Sequence, residues 1–263
     1  MRGRVLVIAG SDSGGGAGIQ ADIKTITMLG GYAATAITAI TVQNTLGVSA
    51  IHPVPLAIIP QQICAVLDDI GADCIKIGML GDEQTIHAVA DCLKHKAPGI
   101  PIVLDPVMIA KGGAALLPPA ALDALIGAMV PIAHLITPNA PELAALTGQE
   151  IENADHMEAA ARSFARQAGC AVLAKGGHLP GDELVDLLVD GDKARFYKAK
   201  RIKSRHTHGT GCTLASAIAT GLAQGMALDD AISRAHGYVQ GAILKAPGYG
   251  AGHGPLNHSY RLD

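Results

Sequence analysis

Between Lys24 and Asp68 the chain has no Asp, Glu, Lys or Arg, and few folded settings tolerate so long a stretch without charge. A membrane span is one of them, but Gly30-Gly31, Gln43-Asn44, His52 and the prolines Pro53, Pro55 and Pro60 interrupt it. No continuous apolar run of about 18 residues is left to cross a bilayer. Strands of a parallel sheet covered on both faces are the better account, because such strands read as near-continuous small and β-branched residues. Residues 33–42 have that pattern. Gln43 and Asn44 then fall at the strand's end.

The rest of the chain alternates. Strand patterns at residues 4–9, 74–77, 102–104, 134–137 and 171–175 join the one at 33–42, separated by helical patterns at 19–29, 60–69, 82–94, 119–129 and 155–167. This repetition predicts an α/β fold on a mostly parallel sheet. Residues 184–189 and 195–200 flank Asp190-Gly191-Asp192 as a hairpin would, and helices over 213–222 and 228–244 follow. With no Pro/Gly/Ser linker, internal repeat or low-complexity tract, residues 1–263 read as one domain. Apolar residues make up 49% of the chain and aromatics only 3%, so Ala, Ile, Leu and Val must form the core.

A net charge of -3 without Lys/Arg runs argues against a nucleic-acid surface and for small-molecule partners. The five cysteines are odd in number and include no C-x-x-C pair, which points to a reducing compartment, the cytoplasm, without structural zinc. The first strand runs too quickly into glycine for a signal peptide, so no export signal is expected.

Ligands of open α/β sheets bind outside the carboxyl ends of the strands. Those ends carry Gly10-Ser11-Asp12-Ser13-Gly14-Gly15-Gly16-Ala17-Gly18, Gln43-Asn44, Lys76-Ile77-Gly78-Met79, Asp105-Pro106-Val107-Met108, Thr137-Pro138-Asn139-Ala140-Pro141-Glu142 and Lys175-Gly176-Gly177-His178. A single Asp or Lys at a strand end is usually a helix cap or a solvated turn. So many on one rim favour a site.

Thr207-His208-Gly209-Thr210-Gly211-Cys212-Thr213 stands directly before an Ala-rich helical stretch. A Gly-Thr-Gly turn opening a helix turns backbone N–H groups toward one point, where the helix dipole adds positive potential. That is an anion site. A thiol at the same helix start has a lowered pKa, which makes Cys212 a candidate to take a proton from a substrate hydroxyl. The plainer alternative is an ordinary turn with Cys212 as a small core residue.

Three familiar motifs fail. Gly16-x-Gly18-x-x-Ala21 fits a relaxed dinucleotide fingerprint, but the acidic residue needed about 20 positions on falls inside the uncharged zone. Asp12-Ser13-Gly14-Gly15 matches a serine-protease nucleophile loop with no His and Asp earlier in the chain. No Gly-Lys-Ser/Thr cradle exists either, so phosphate binding must rest on residues 209–212.

Together these pieces resemble the ribokinase-like superfamily, and within it the hydroxymethylpyrimidine/phosphomethylpyrimidine kinases of thiamine biosynthesis. The resemblance spans nearly the whole chain. It rests on residues 9–12 and 15–22, Val42-Gln43-Asn44-Thr45, Lys76-Ile77-Gly78-Met79-Leu80, Thr137-Pro138-Asn139, Lys175-Gly176-Gly177-His178 and Thr207 to Thr213. Cys212 stands where most of the superfamily has Asp, a feature shared with a set of pyridoxal kinases. Ser13 replaces a frequent Pro, and Arg205-His206 replaces more usual polar residues.

The resemblance implies a three-layer αβα fold and an ATP- and Mg²⁺-dependent kinase that phosphorylates 4-amino-5-hydroxymethyl-2-methylpyrimidine and then its monophosphate. Cys212 would be the base, with Gly209, Thr210 and Gly211 stabilising the transferred phosphoryl group. Gln43 would read the ring, since an amide supplies donors and an acceptor to an aminopyrimidine. Asp22 would hold the hydroxymethyl group, with Gly10, Met79 and Val107 lining the pocket. Asn139, Lys175 and Thr207 would contact ATP, and Asp105 and Glu142 would place Mg²⁺, helix capping being their alternative role. His178 and His208 read first as solvated turn residues. A homo-oligomer, specifically a homodimer, is also implied, without a fused thiamine-phosphate synthase. A Cys-type pyridoxal kinase, or a non-catalytic binding protein on the same fold, remains open at this point.

Overall fold

The computed structural model describes residues 3–109, 113 and 116–262. β1 (Arg4–Asp12) leads through α1 (Gly18–Met28) to β2 (Tyr32–Asn44), which returns at once as β3 (Gly47–Pro53). Next come α2 (Ile58–Asp69), β4 (Cys74–Ile77), α3 (Glu83–Lys96), β5 (Ile102–Leu104), α4 (Pro119–Ala124) and β6 (Leu135–Ile136). Then follow α5 (Ala140–Thr147), α6 (Ala154–Ala168), β7 (Ala171–Ala174), β8 (Glu183–Asp190), β9 (Lys193–Lys200), α7 (Thr210–Ala223) and α8 (Leu228–Leu244). All these strands lie in one sheet of order β3-β2-β1-β4-β5-β6-β7-β8-β9. The six central strands are parallel, while β3, β8 and β9 pair antiparallel.

Side-chain alternation along the strands builds two cores. Leu6 and Ile8 of β1 and Ile75 and Ile77 of β4 pack with Ile59, Ile86, Leu143 and Phe164 from α2, α3, α5 and α6. Val5 and Val7 face the other way, toward Ile26 of α1, Ile218 of α7 and Ile232 and Tyr238 of α8. The result is the expected α/β sandwich of three layers with a mostly parallel sheet. No described helix is long and apolar enough to cross a membrane.

Beyond β3 and α5, which the sequence patterns do not announce, the structure departs from expectation in three places. β2 does not stop at Val42 but carries Gln43 and Asn44 within the strand, paired to Val48 and Gly47 of β3. The uncharged zone is also not buried on both faces, for Ile40, Val42 and Ile51 are 50%, 59% and 40% exposed. β1 ends at Asp12 opposite Thr41, so Val42 lies past it in an edge ribbon with β3, the outermost strand, which carries Ile51; Ile40 is exposed although β1 still pairs it at Ser11. Third, the helix expected over 119–129 is α-helical only to Ala124, then continues as a π-helical turn (Leu125–Met129) and a 3₁₀ turn (Val130–Ile132).

Candidate active site

The carboxyl ends of β1, β2 and β4, the residues after β5, β6 and β7, and the start of α7 surround one cavity of about 760 Å³. Every residue singled out above for a site role lines it, except Asp22. His178 and His208 line it as well.

At its base, α7 opens on Gly209, which holds φ at 87° with no side chain capping the first turn. A Cβ at Gly209 would overlap the carbonyl oxygen of Gly16. Only glycine allows the loop after β1 and the loop before α7 to lie in contact. The uncapped N–H groups of that first turn are the anion-binding feature expected from sequence.

Cys212 differs from the expectation of a lowered pKa. Burial pushes its thiol up to about 11, the charges of Asp22 and Asp105 add to the rise, and Lys76 and the amide of Gly18 only partly oppose it. Desolvation outweighs the helix start here. The resting side chain is therefore a thiol at neutral pH.

Asp22 is the second correction. It is fully buried, with both carboxylate oxygens 3.0 Å from Lys76 Nζ and Oδ1 accepting from Ser216 Oγ at 2.6 Å. Instead of facing a ligand it sits behind Lys76, in the layer between sheet and α7. Burial works against both charges and raises the Asp22 carboxyl, while Lys76 and Ser216 pull it down; on Lys76 the charge of Asp22 leads those that more than offset burial and raise its pKa. With both carboxylate oxygens on Nζ we read the pair as ionic.

Asp105 accepts from Lys175 Nζ at 2.8 Å and from Thr137 Oγ1 at 3.0 Å. Burial opposes its ionisation, yet Lys175 and Lys76 hold its carboxyl below the usual range. Asn139 and Glu142 form a capping box at the start of α5: Glu142 N donates to Asn139 Oδ1 at 2.9 Å, and Asn139 N donates to Glu142 Oε2 at 2.8 Å. The capping role set beside metal binding is thus occupied, although both residues still border the cavity. Burial first, and then the charge of Asp105, push the Glu142 carboxyl up to about 7 against the pull of Lys175.

Asp12 organises the glycine loop. It accepts from the backbone N–H of Gly14, Gly16 and Ala17 at 2.8, 3.1 and 2.8 Å, and its Oδ2 lies 2.8 Å from His208 Nε2. His208 is only 7% exposed, not the solvated turn residue expected. Ser13, which had no assigned role, bonds both backbone groups of Gln43, donating to its carbonyl and accepting from its N–H at 2.8 Å each. The two ends of the Gln43 amide lie 3.1 Å from Thr41 Oγ1 and 3.3 Å from His208 Nε2.

With this geometry described, comparison with known proteins is decisive. The profile of the phosphomethylpyrimidine kinase family matches residues 12–257. The chain belongs to that family. It is 48% identical to the hydroxymethylpyrimidine/phosphomethylpyrimidine kinase of Rhizobium meliloti over 97% of each chain. It is 51% identical over 98% of its length to the thiamine biosynthesis bifunctional protein of Geobacter sulfurreducens, of which it spans about half, 52%. Among solved structures, the ADP complex of Bacillus subtilis pyridoxal kinase superposes with a TM-score of 0.92 at 36% identity, covering 100% of both chains. The phosphomethylpyrimidine kinase resemblance and the ribokinase-like fold read from sequence are thereby borne out.

Asp12, Lys76 and Ser216 are the site-organising residues that sequence reasoning left without a role. For Lys76 a signal existed: a lysine inside the four-residue apolar strand Cys74-Ile75-Lys76-Ile77 must find a buried anion. Nothing in sequence says which one.

Proposed function

We propose that this phosphomethylpyrimidine kinase transfers the γ-phosphoryl group of ATP to the hydroxymethyl group of 4-amino-5-hydroxymethyl-2-methylpyrimidine and then to the resulting monophosphate. One observation carries the reading. A cavity of about 760 Å³ joins an uncapped α7 start, Cys212 and Lys175 to the Gln43 amide, so a phosphate-binding end and a ring-reading end face one space.

In this reading the backbone N–H groups of residues 209–212 stabilise the charge spreading over the transferred group, and Lys175 steadies the nucleotide phosphates. Cys212 acts as base only in its thiolate form: the thiol first gives its own proton to solvent, and the thiolate then takes the hydroxyl proton. Burial keeps that thiolate a minor form at neutral pH, which the loose transition state of phosphoryl transfer tolerates because it demands little prior deprotonation of the nucleophile. Lys76 stabilises the thiolate as it forms. Asn139 and Thr207 border the nucleotide path, while Gly10, Met79 and Val107 pack on the ring. Asp22 acts through Lys76 and not on the substrate.

Asp105 and Glu142 suit Mg²⁺, which takes one or two carboxylates and keeps waters and substrate phosphates as its other ligands. The Glu142 carboxyl is raised first by burial and then by the charge of Asp105, and a divalent cation would relieve that repulsion. Bound there, the ion would neutralise phosphate charge.

The strands share one sheet, which supports treating residues 1–263 as one kinase domain, and the five free cysteines support a cytoplasmic setting. The edge ribbon exposes Ile40, Val42, Leu46 and Ile51 without any charge between Lys24 and Asp68. We assign that face to a homodimer contact, which sedimentation tests.

The overlay on pyridoxal kinase favours a second reading, pyridoxal as the alcohol. Incubation with Mg-ATP and each alcohol, with products followed by mass, separates them. Pyrimidine mono- and diphosphate are expected. Pyridoxal phosphate alone would replace the first reading by the second, and no ADP from either alcohol would leave a binding protein.

A further inference from the structure

His208 enters neither the proposed proton transfer nor the phosphate contacts, yet it stands between Asp12 and Gln43 in the cavity wall. Its bonding can be worked out from the partners. The Asp12 carboxylate offers only lone pairs, so an Nε2 held 2.8 Å from Oδ2 must carry hydrogen, whether the ring is neutral or protonated. That same Nε2 lies 3.3 Å from one end of the Gln43 amide. Its one hydrogen points to Asp12, so the amide oxygen can have only a shared, three-centre contact with it, whereas an NH₂ group would meet it donor to donor.

The other end of the amide gives the same answer independently. Thr41 Oγ1 lies 2.9 Å from the carbonyl oxygen of Ser11, which can only accept, so its one proton is used. The structure carries Oε1 at this place, 3.1 Å away, where nitrogen donating to Oγ1 fits better. As carried, the amide sets N–H against N–H at His208 and asks one hydroxyl proton to serve two acceptors at Thr41. Turned over, it removes both conflicts and leaves only the Nε2 hydrogen shared between Asp12 and the amide oxygen. Amide oxygen and nitrogen are alike in shape, so the network decides between them.

We propose that His208 is a positioning residue for substrate choice: with Asp12 and Thr41 it locks the Gln43 amide with oxygen toward His208 and nitrogen toward Thr41. Each amide atom then keeps one bond free, a lone pair on oxygen and one N–H on nitrogen. That is the complement of an exocyclic amine beside a ring nitrogen, presented with one handedness. An alcohol on a heterocycle lacking the amine leaves the oxygen unmatched. The proposal rests on the aminopyrimidine reading above.

The test compares wild type with His208→Leu and His208→Gln on the aminopyrimidine alcohol and on the same compound without its 4-amino group. A Gln side chain can return an N–H near the position of Nε2. Wild type should prefer the amino compound. His208→Leu should raise KM for it roughly tenfold, the worth of about one hydrogen bond, with a smaller change in kcat and with the preference erased, whereas His208→Gln should keep the preference. His208→Leu with wild-type preference at any overall rate, or His208→Gln behaving like His208→Leu, would overturn the proposal. Nitrogen-15 NMR of wild-type His208 tests the network without substrate or mutation: an Nε2–H resonance is expected, and a ring protonated only at Nδ1 overturns it. A wild type that phosphorylates neither pyrimidine would instead overturn the functional reading, and the spectrum would still judge the network.

Discussion

Asp22–Lys76, between α1 and β4, and Asp105–Lys175, between the residues just after β5 and β7, are the same pair of functional groups, and they differ in what surrounds them. Both side chains of the first pair are 0% exposed, and Ser216 of α7 is a second donor to Asp22. In the second pair, Nζ lies 2.8 Å from Asp105 and the lysine side chain keeps 13% of its surface exposed toward the cavity. A sealed pair cannot exchange its partner for a ligand: it ties α1 to β4 and, through Ser216, α7 with the anion-binding turn, while the Lys76 charge still acts on Cys212. An open pair can exchange a partner, so a nucleotide phosphate can compete for Lys175.

The largest effect should come from breaking the sealed pair. Lys76→Met strands a buried carboxylate and should cost about 3–5 kcal/mol in urea unfolding, with Asp22→Asn in the same chain recovering much of it. Lys175→Met should lose less than half as much stability while KM for ATP rises. Equal destabilisation by both variants would erase the distinction between the pairs.

Cys212 feels both cations and comes next. Cys212→Ala should slow the first phosphorylation by roughly 10²–10⁴-fold, the usual worth of a positioned base, with residual transfer because the backbone donors remain. Cys212→Asp should recover part of the rate. Near wild-type speed in Cys212→Ala would leave the thiol as packing. With the thiol pushed up to about 11, alkylation should accelerate steadily with pH into that range. Removing the Lys76 charge should move the midpoint higher still, because the cation is what opposes the rise.

The rim of the site was legible in sequence because strand ends announce themselves through polar residues after apolar runs, as at Asp105, Asn139 and Lys175. Glycines were legible where the backbone needs them, as at Gly209. What sequence concealed was which polar group answers which. A substrate contact at Asp22 was implied by the family resemblance, and only the packing of α7 against the sheet reveals that Lys76 and Ser216 claim the carboxylate. Cys212 stands at a helix start as expected, but its ionisation depends first on burial and then on groups nearly 200 residues away in sequence, among them the charge of Asp22 and the amide of Gly18. β3 went unread because an edge ribbon lacks the alternation that a half-buried strand would show: Ser49, Ala50, Ile51, His52 and Pro53 are all exposed.

The smallest expected effect concerns Glu142, whose environment joins it to the open pair. Its carboxyl is raised from 4.5 to about 7 by burial and by Asp105, so the folded state holds the proton more tightly than the unfolded chain does. The sign follows: the contribution to stability is fully present below about 4.5 and is lost as pH rises through about 7. At 1.36 kcal/mol per pKa unit the loss is about 3 kcal/mol at most, because Asp105 shares in the titration. Glu142→Gln keeps a side-chain carbonyl that can close the capping box on Asn139 N–H but has no proton to lose. Urea unfolding from pH 5 to 8 should therefore fall for wild type and stay nearly level for the variant. Added Mg²⁺ should lift the wild-type curve most at pH 8, where both carboxylates are charged, and should lift the variant less. Parallel curves for the two proteins would mean that Glu142 is ionised throughout and serves α5 as a cap alone, leaving Asp105 as the only carboxylate for the metal.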